Sequence, residues 1–227
     1  TNLESISATT DVNFTLDNPS IDARTGVGND RISIKGGLSS VNTNAGHDAI
    51  LISGGQNNVN TGTGDDTISI GGGVSQIDTG EGDDFVSVDT GTAAVFLGVG
   101  DDRIVVTNGG IDADIQTLDG GPGKDIFETV ATGDLRLPEL RNFEEVLITN
   151  TQHRSADFSL TGAGSIELLL GTTIDGTTTT FKLNQHQSLT LTNLRDGDSS
   201  SSTLADGGIV ILHEASAESV DLKLKNV

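Results

Sequence analysis

The nine residues from Thr61 to Ser69, TGTGDDTIS, set the reading of this chain because they recur. Upstream stand TNAGHDAIL from Thr43 and TGVGNDRIS from Thr25; downstream come TGEGDDFVS from Thr79, LGVGDDRIV from Leu97 and GGPGKDIFE from Gly120. The last acid of each unit falls at Asp30, Asp48, Asp66, Asp84, Asp102 and Asp125, so one spacing, eighteen, repeats four times and only the last interval is longer. Gly28, Gly46, Gly64, Gly82, Gly100 and Gly123 each stand two positions earlier. A fixed period of this length is the mark of stacked supersecondary units, each unable to bury its apolar face alone.

Eighteen is twice nine, and the intervening half is a second, related turn. KGGLSSVN, SGGQNNVN, GGGVSQID and DTGTAAVF place Gly37, Gly55, Gly73 and Gly91 at the register of the loop glycine, but Ser39, Asn57, Ser75 and Ala93 at the register of the acid. One coil is therefore two turns and two short strands, with only one turn acidic. Ile32, Ile50, Ile68, Val86, Ile104 and Ile126 are expected to form one apolar column, and Ile34, Ile52, Ile70, Val88 and Val106 a second. Val41, Val59, Ile77, Val95 and Leu118 supply a third. Side chains two apart on a strand share a face, so these columns can fill the space between two parallel sheets.

Composition agrees with a thin interior. The 227 residues include 7 Phe and no Trp, Tyr, Met or Cys, too little bulk for a wide core. With 33 acids against 12 Lys and Arg, the net charge of −21 disfavours nucleic acid and anionic membranes. No run is apolar enough to span a bilayer. Without cysteine, oxygen ligands remain, and these suit hard divalent cations. The chain opens at Thr1 with neither an initiator Met nor a signal peptide, as expected of a piece of a longer protein.

The glycines permit tight turns with positive φ and leave carbonyl oxygens exposed, while Asp ends each turn with a short anionic ligand. Coils stack at about 4.8 Å. At that separation two carboxylates repel by roughly 3.5 kcal/mol at an effective dielectric of about 20. A Ca²⁺ in each gap would reverse the sign, drawing carboxylates and carbonyls from both coils into a shell of about 6 oxygens. The expected ligands are Asp30, Asp48, Asp66, Asp84, Asp102 and Asp125, with the backbone of Gly26, Gly28, Asn44, Gly46, Gly62, Gly64, Gly80, Gly82, Gly98, Gly100, Gly121 and Gly123. Six loops enclose up to five ions in one column. The edge bearing Ser39, Asn57, Ser75 and Ala93 is expected to be free of metal, with the extra residues around Asp112 and Asp114 bulging from that side.

These loops resemble the RTX nonapeptide, GGxGxDxUx with U apolar, a calcium-binding repeat. GGPGKDIFE matches every fixed position; the others replace the first Gly by Thr or Leu, and Asn44 stands for the second Gly of its loop. The resemblance covers residues 21–130, about half the chain. Beyond it, LRNFEEVLIT, GSIELLLG, SLTLTNL, GGIVILHE and SVDLKLK space their apolar centres about one coil apart, and NLESISATTDVNFTL at the start is similar to NFEEVLITNTQHRSADFSL. This alternation resembles the calcium-dependent S-layer proteins of Gram-negative bacteria. It implies a secreted, cell-surface protein exported by a type I system and self-associating into a surface lattice. The missing part of the parent would contact cell-surface polysaccharide. The expected fold is an all-β, right-handed parallel β-solenoid: a coil over 1–20, an RTX β-roll over 21–130 and further β-helix coils over 131–227.

Other readings are weaker. Asp65, Asp83 and Asp101 should point outward by strand alternation, and Asn29, His47 and Lys124 at the same position argue against a strict ligand role. His47, His153, His186 and His213 form no HExxH and read as surface residues. Glu144/Glu145 and Asp196/Asp198 read as solvated acids rather than an acid/base pair, although Asp196, Asp198 and Asp206 could hold a further calcium. The file Thr25, Thr43, Thr61 and Thr79 reads as a hydroxyl ladder. No nucleophile elbow is present, so the expectation is a non-enzyme. An RTX adhesin stalk and a non-catalytic module of a type I-secreted enzyme remain as alternatives.

Overall fold

The computed structural model describes residues 5–7, 10–17, 20–107, 117–130, 139–149, 155–157, 165–169, 178–183, 188–192, 209–214 and 221–225. All regular structure among them is β-strand, and the strands stack in parallel as a β-solenoid of about six turns. One ladder runs through Asn13–Asp17, Arg31–Lys35, Ala49–Ile52, the first part of Thr67–Glu81 and of Phe85–Phe96, then Arg103–Val106 and Ile126–Val130. It continues through Glu145–Thr149, Ser165–Leu169, Ser188–Thr192 and Asp221–Lys225. The facing ladder runs through Ser5–Ser7, Ser20–Arg24, Leu38–Asn42, Gln56–Thr63, the later parts of Thr67–Glu81 and Phe85–Phe96, Thr117–Asp119 and Glu139–Arg141. Ser155–Asp157, Thr178–Leu183 and Ile209–Glu214 form a separate three-stranded parallel sheet.

The core is the set of apolar columns. Ile32, Ile50, Ile68, Val86 and Ile104 lie in register with one another and are buried, as are Ile34, Ile52, Ile70, Val88 and Val106. Val41, Val59, Ile77, Val95 and Leu118 are buried opposite them. In the sixth coil the expectation fails by one residue: Ile104 pairs with Phe127, and it is Phe127, not Ile126, that is fully buried. Alternation from the inward Asp125 requires this, because residues two apart share a face. Val106 pairs in turn with Thr129, whose buried hydroxyl donates to the Val106 carbonyl at 3.0 Å.

The extra residues of the last interval can be placed by register. Val106 still pairs with Val88, one ordinary period back, whereas Thr117 pairs with Ala94 at the longer spacing of the last interval. The insertion therefore falls between these two strands, at the non-acidic turn. The bulge expected around Asp112 and Asp114 lies in 108–116, outside the described residues.

Candidate metal centre

The acidic turns stack into one edge, and every expected aspartate lies on it. Asp30, Asp48, Asp66, Asp84, Asp102 and Asp125 are all buried, none more than 2% exposed. Each Oδ1 accepts a backbone N–H from the coil before. The amides of Asp30, Asp48, Asp66 and Asp84 donate to Asp48, Asp66, Asp84 and Asp102 at 2.7 Å, and that of Asp102 to Asp125 at 2.9 Å. Every one of the six Oδ2 atoms is buried without a hydrogen-bond partner. An ionised carboxylate oxygen left so is costly, because nothing replaces the water it has lost.

The threonine file relieves that cost only in part. Thr43, Thr61 and Thr79 stand beside Asp48, Asp66 and Asp84 and favour their ionised forms. Their hydroxyls donate instead to the next coil, Thr43 to the Thr61 carbonyl at 3.0 Å and Thr61 to the Thr79 carbonyl at 2.9 Å, with Thr79 donating to Leu97. The hydroxyl ladder expected from the sequence is present, and it occupies the donors that could have reached Oδ2.

Desolvation is the largest influence on these carboxyls. Burial pushes Asp48 and Asp66 above the usual carboxylate range, Asp84 up to about 6, Asp102 to about 7 and Asp125 to about 6. The accepted backbone N–H groups pull the other way, and neighbouring acids reinforce the rise.

The loop backbone supplies further oxygens. A Cβ at Gly46, Gly64, Gly82 or Gly100 would fall 1.9, 2.1, 2.3 or 2.0 Å from the carbonyl oxygen of Gly28, Gly46, Gly64 or Gly82. These carbonyls thus project along the stack into space that only glycine leaves, and no described hydrogen bond ends on them. Asn44 takes the left-handed φ of 67° where its counterparts Gly62 and Gly80 lie near 100°. Gly64 makes a severe test of the arrangement: its φ is 119°, and an added methyl meets backbone. Gly64→Ala is expected to cost at least about 3 kcal/mol from strain and clash, lowering the unfolding midpoint in saturating calcium by roughly 6–12 °C. Gly71→Ala is the control, since nothing lies nearer than 3.6 Å to its Cβ. Equal midpoints for the two variants, read by circular dichroism, would remove the need for glycine at the acidic turn.

Outside the aspartate file runs a second ladder of opposite direction. Asp83 N–H donates to Asp65 Oδ1 at 3.0 Å, Asp101 to Asp83 at 2.9 Å and Lys124 to Asp101 at 3.0 Å. Asp11, Asn29 and His47 continue it upstream, with His47 Nδ1 accepting the Asp65 N–H at 2.9 Å. Asp65, Asp83 and Asp101 are exposed, as alternation required. Two members of the edge escaped the sequence reading. Asp11 opens the outer ladder, and Glu144 accepts the Asp125 N–H on Oε2 at 2.7 Å, extending the inner one. The side chains of His153, His186, His213, Asp196, Asp198 and Asp206 lie outside the described residues.

The opposite edge differs in charge rather than in burial. Ser39 Oγ, Asn57 Oδ1 and Ser75 Oγ are also buried without a partner, but all are neutral, and Ala93 adds no oxygen. Water can satisfy such groups. Among the described residues no three His, Cys, Asp or Glu side chains converge on one point. A cation on the acidic edge would therefore be held by carboxylates of successive coils together with loop carbonyls. No family model, curated protein or solved structure matches this chain.

Proposed function

We propose that this chain is a calcium-binding segment of an extracellular structural protein, most closely an S-layer subunit, which folds and assembles as Ca²⁺ fills the acidic edge. The observation that carries this reading is the file of six buried carboxylates, one per coil, each with Oδ1 engaged and Oδ2 unpartnered. Carboxylate and carbonyl oxygens suit Ca²⁺ better than a transition metal. Asp30, Asp48, Asp66, Asp84, Asp102 and Asp125 would hold the ions with the carbonyls of Gly28, Gly46, Gly64, Gly82 and Gly100, giving up to five sites. When bound, the ion supplies charge neutralisation and a cross-link between coils. The exposed carboxylates of Asp65, Asp83 and Asp101 offer a surface through which further Ca²⁺ bridges neighbouring copies.

Secretion, a place on the cell surface and the lack of catalysis belong to the same reading and rest on the RTX and S-layer resemblance. An adhesin stalk and a non-catalytic module of a secreted enzyme share the acidic edge and differ in assembly. Electron microscopy after adding Ca²⁺ separates them: ordered two-dimensional sheets support the lattice, and monomeric rods at high concentration support the stalk. Sharing of ions between coils has its own test. Asp66→Ala is expected to remove two ions per chain by equilibrium dialysis, since Asp66 borders two gaps; loss of a single ion would mean that each loop binds alone.

A further inference from the structure

Glu144 stands where the glycine loops end. Asp119 pairs with Arg141, and the amide of Asp125 donates to Glu144. The path from strand to rung is therefore shorter at Arg141–Glu144 than at Asp119–Asp125, where the last glycine loop intervenes. The shortened turn has no loop glycines, yet it keeps a carboxylate at the rung. Glu144 Oε2 accepts the Asp125 N–H at 2.7 Å, as each Oδ1 does for the aspartate of the coil before, and the longer side chain compensates for the shorter turn. The turn is held firmly. The Asp125 carbonyl accepts both the Glu144 and Glu145 N–H at 3.1 Å, and buried Phe143 packs edge-on against Phe127 with centroids 6.1 Å apart.

Beside this rung lies an unmet oxygen. Asp125 is fully buried and its Oδ2 has no partner. A Cβ on Gly120 would stand 2.8 Å from that Oδ2 and 2.3 Å from the Asn142 carbonyl oxygen, so glycine leaves both oxygens bordering one space. Asn142 sits at a left-handed φ of 55°, and its amide donates to Asp119 Oδ1 at 2.6 Å. The charges of Glu144 and Asp119 both act on Asp125.

We infer that the Asp125–Glu144 gap is a further divalent-cation site of the calcium class, held by Asp125 Oδ2, the Glu144 carboxylate and the Asn142 carbonyl, closing the file at its C-terminal end. This rests on reading the aspartate file as cation sites, and it adds one ion to the gaps between the aspartates. The RTX-like loop pattern does not supply it, because the second carboxylate comes from a turn without that pattern.

The test counts calcium bound per full-length chain at saturating calcium chloride, by equilibrium dialysis and metal analysis, for the wild type, Glu144→Gln and Asp66→Ala. The amide oxygen of the Glu144→Gln side chain can still accept the Asp125 N–H, so this variant should keep its calcium-induced β signal and lose one ion. If Glu144→Gln loses none while Asp66→Ala loses two, this site is overturned and the file stands. A wild type that binds no calcium overturns both. Should Glu144→Gln lose its β signal, Glu144→Asp decides, because it keeps the charge but shortens the reach. One ion weakened by roughly tenfold or more is expected there, and unchanged affinity for every ion overturns the site.

Discussion

In metal-free buffer at pH 7.5 the chain is expected to be expanded and poor in β signal, and to become compact and β-rich as calcium rises through about 10⁻⁴ to 10⁻³ M, the range of extracellular modules. The cause is the aspartate file. Six buried carboxylates, each with an unpartnered Oδ2, stand in successive coils. Deprotonated and without a cation, each pair repels while having forfeited its hydration. The thin core of Ile, Val and Leu cannot easily outweigh that, so the free energy of binding an ion there would also be free energy of folding. Small-angle scattering should follow the change, from a radius of gyration of about 50 Å for an unfolded chain of this length towards about 20 Å. A chain equally ordered in excess chelator at neutral pH would mean that the carboxylates do not oppose folding.

Acid should substitute in part for calcium. Folded Asp84, Asp102 and Asp125 keep their protons up to about 6, 7 and 6, whereas the ordinary carboxyl value is 3.8. Between these values the folded chain binds more protons than the unfolded one, so metal-free stability is greatest below about pH 4 and is lost as pH rises through 6 to 7. Each unit of raised pKa corresponds to about 1.4 kcal/mol, and three such groups, even discounted for screening at the turn, amount to a few kcal/mol. That is a large fraction of the about 5–15 kcal/mol of an ordinary domain. Metal-free chain, expanded at pH 7.5, should therefore regain β signal and a cooperative thermal melt on acidification to pH 5. In saturating calcium the trend should reverse, because protons then compete with the ion for Oδ2. Asp102→Asn, at the carboxyl with the largest rise, should flatten the metal-free profile. A metal-free chain that gains no β signal on acidification from pH 7.5 to 5 would contradict the burial of these groups.

The inner aspartates were legible because a fixed period with glycine two positions earlier leaves little freedom: strand alternation then sends one acid in and its neighbour out. What alternation could not supply was direction. Asp30, Asp48 and the rest donate their amides to the coil ahead, while Asp83 and Asp101 donate to the coil behind, and both patterns satisfy the same spacing. The sixth coil was misjudged at Ile126 because two apolar residues follow Asp125 in succession, and the insertion had blurred the count. Counting two residues on from Asp125, as from every other inward aspartate, reaches Phe127, and its pairing with Ile104 agrees. Glu144 was hidden for a different reason. Its turn is shortened and has no glycine pattern, so nothing in NFEE marks it as a continuation of the file, although it lies one coil beyond Asp125. Asp11 was missed likewise, because its neighbour Val12 leaves the inner rung of that coil without a carboxylate, and only the Val12 amide donates to Asp30 at 2.9 Å.

The most direct measurement is anomalous diffraction from crystals grown in calcium, recorded at a wavelength where calcium scatters anomalously. The expected map has a single buried file of peaks along the acidic edge, between the carboxylates from Asp30 to Asp125 and on to Glu144, spaced about one coil or roughly 4.8 Å apart, with none beside Ser39, Asn57, Ser75 and Ala93. A map without peaks between those aspartates, or with peaks along the neutral edge instead, would contradict the reading of the buried carboxylates as cation ligands.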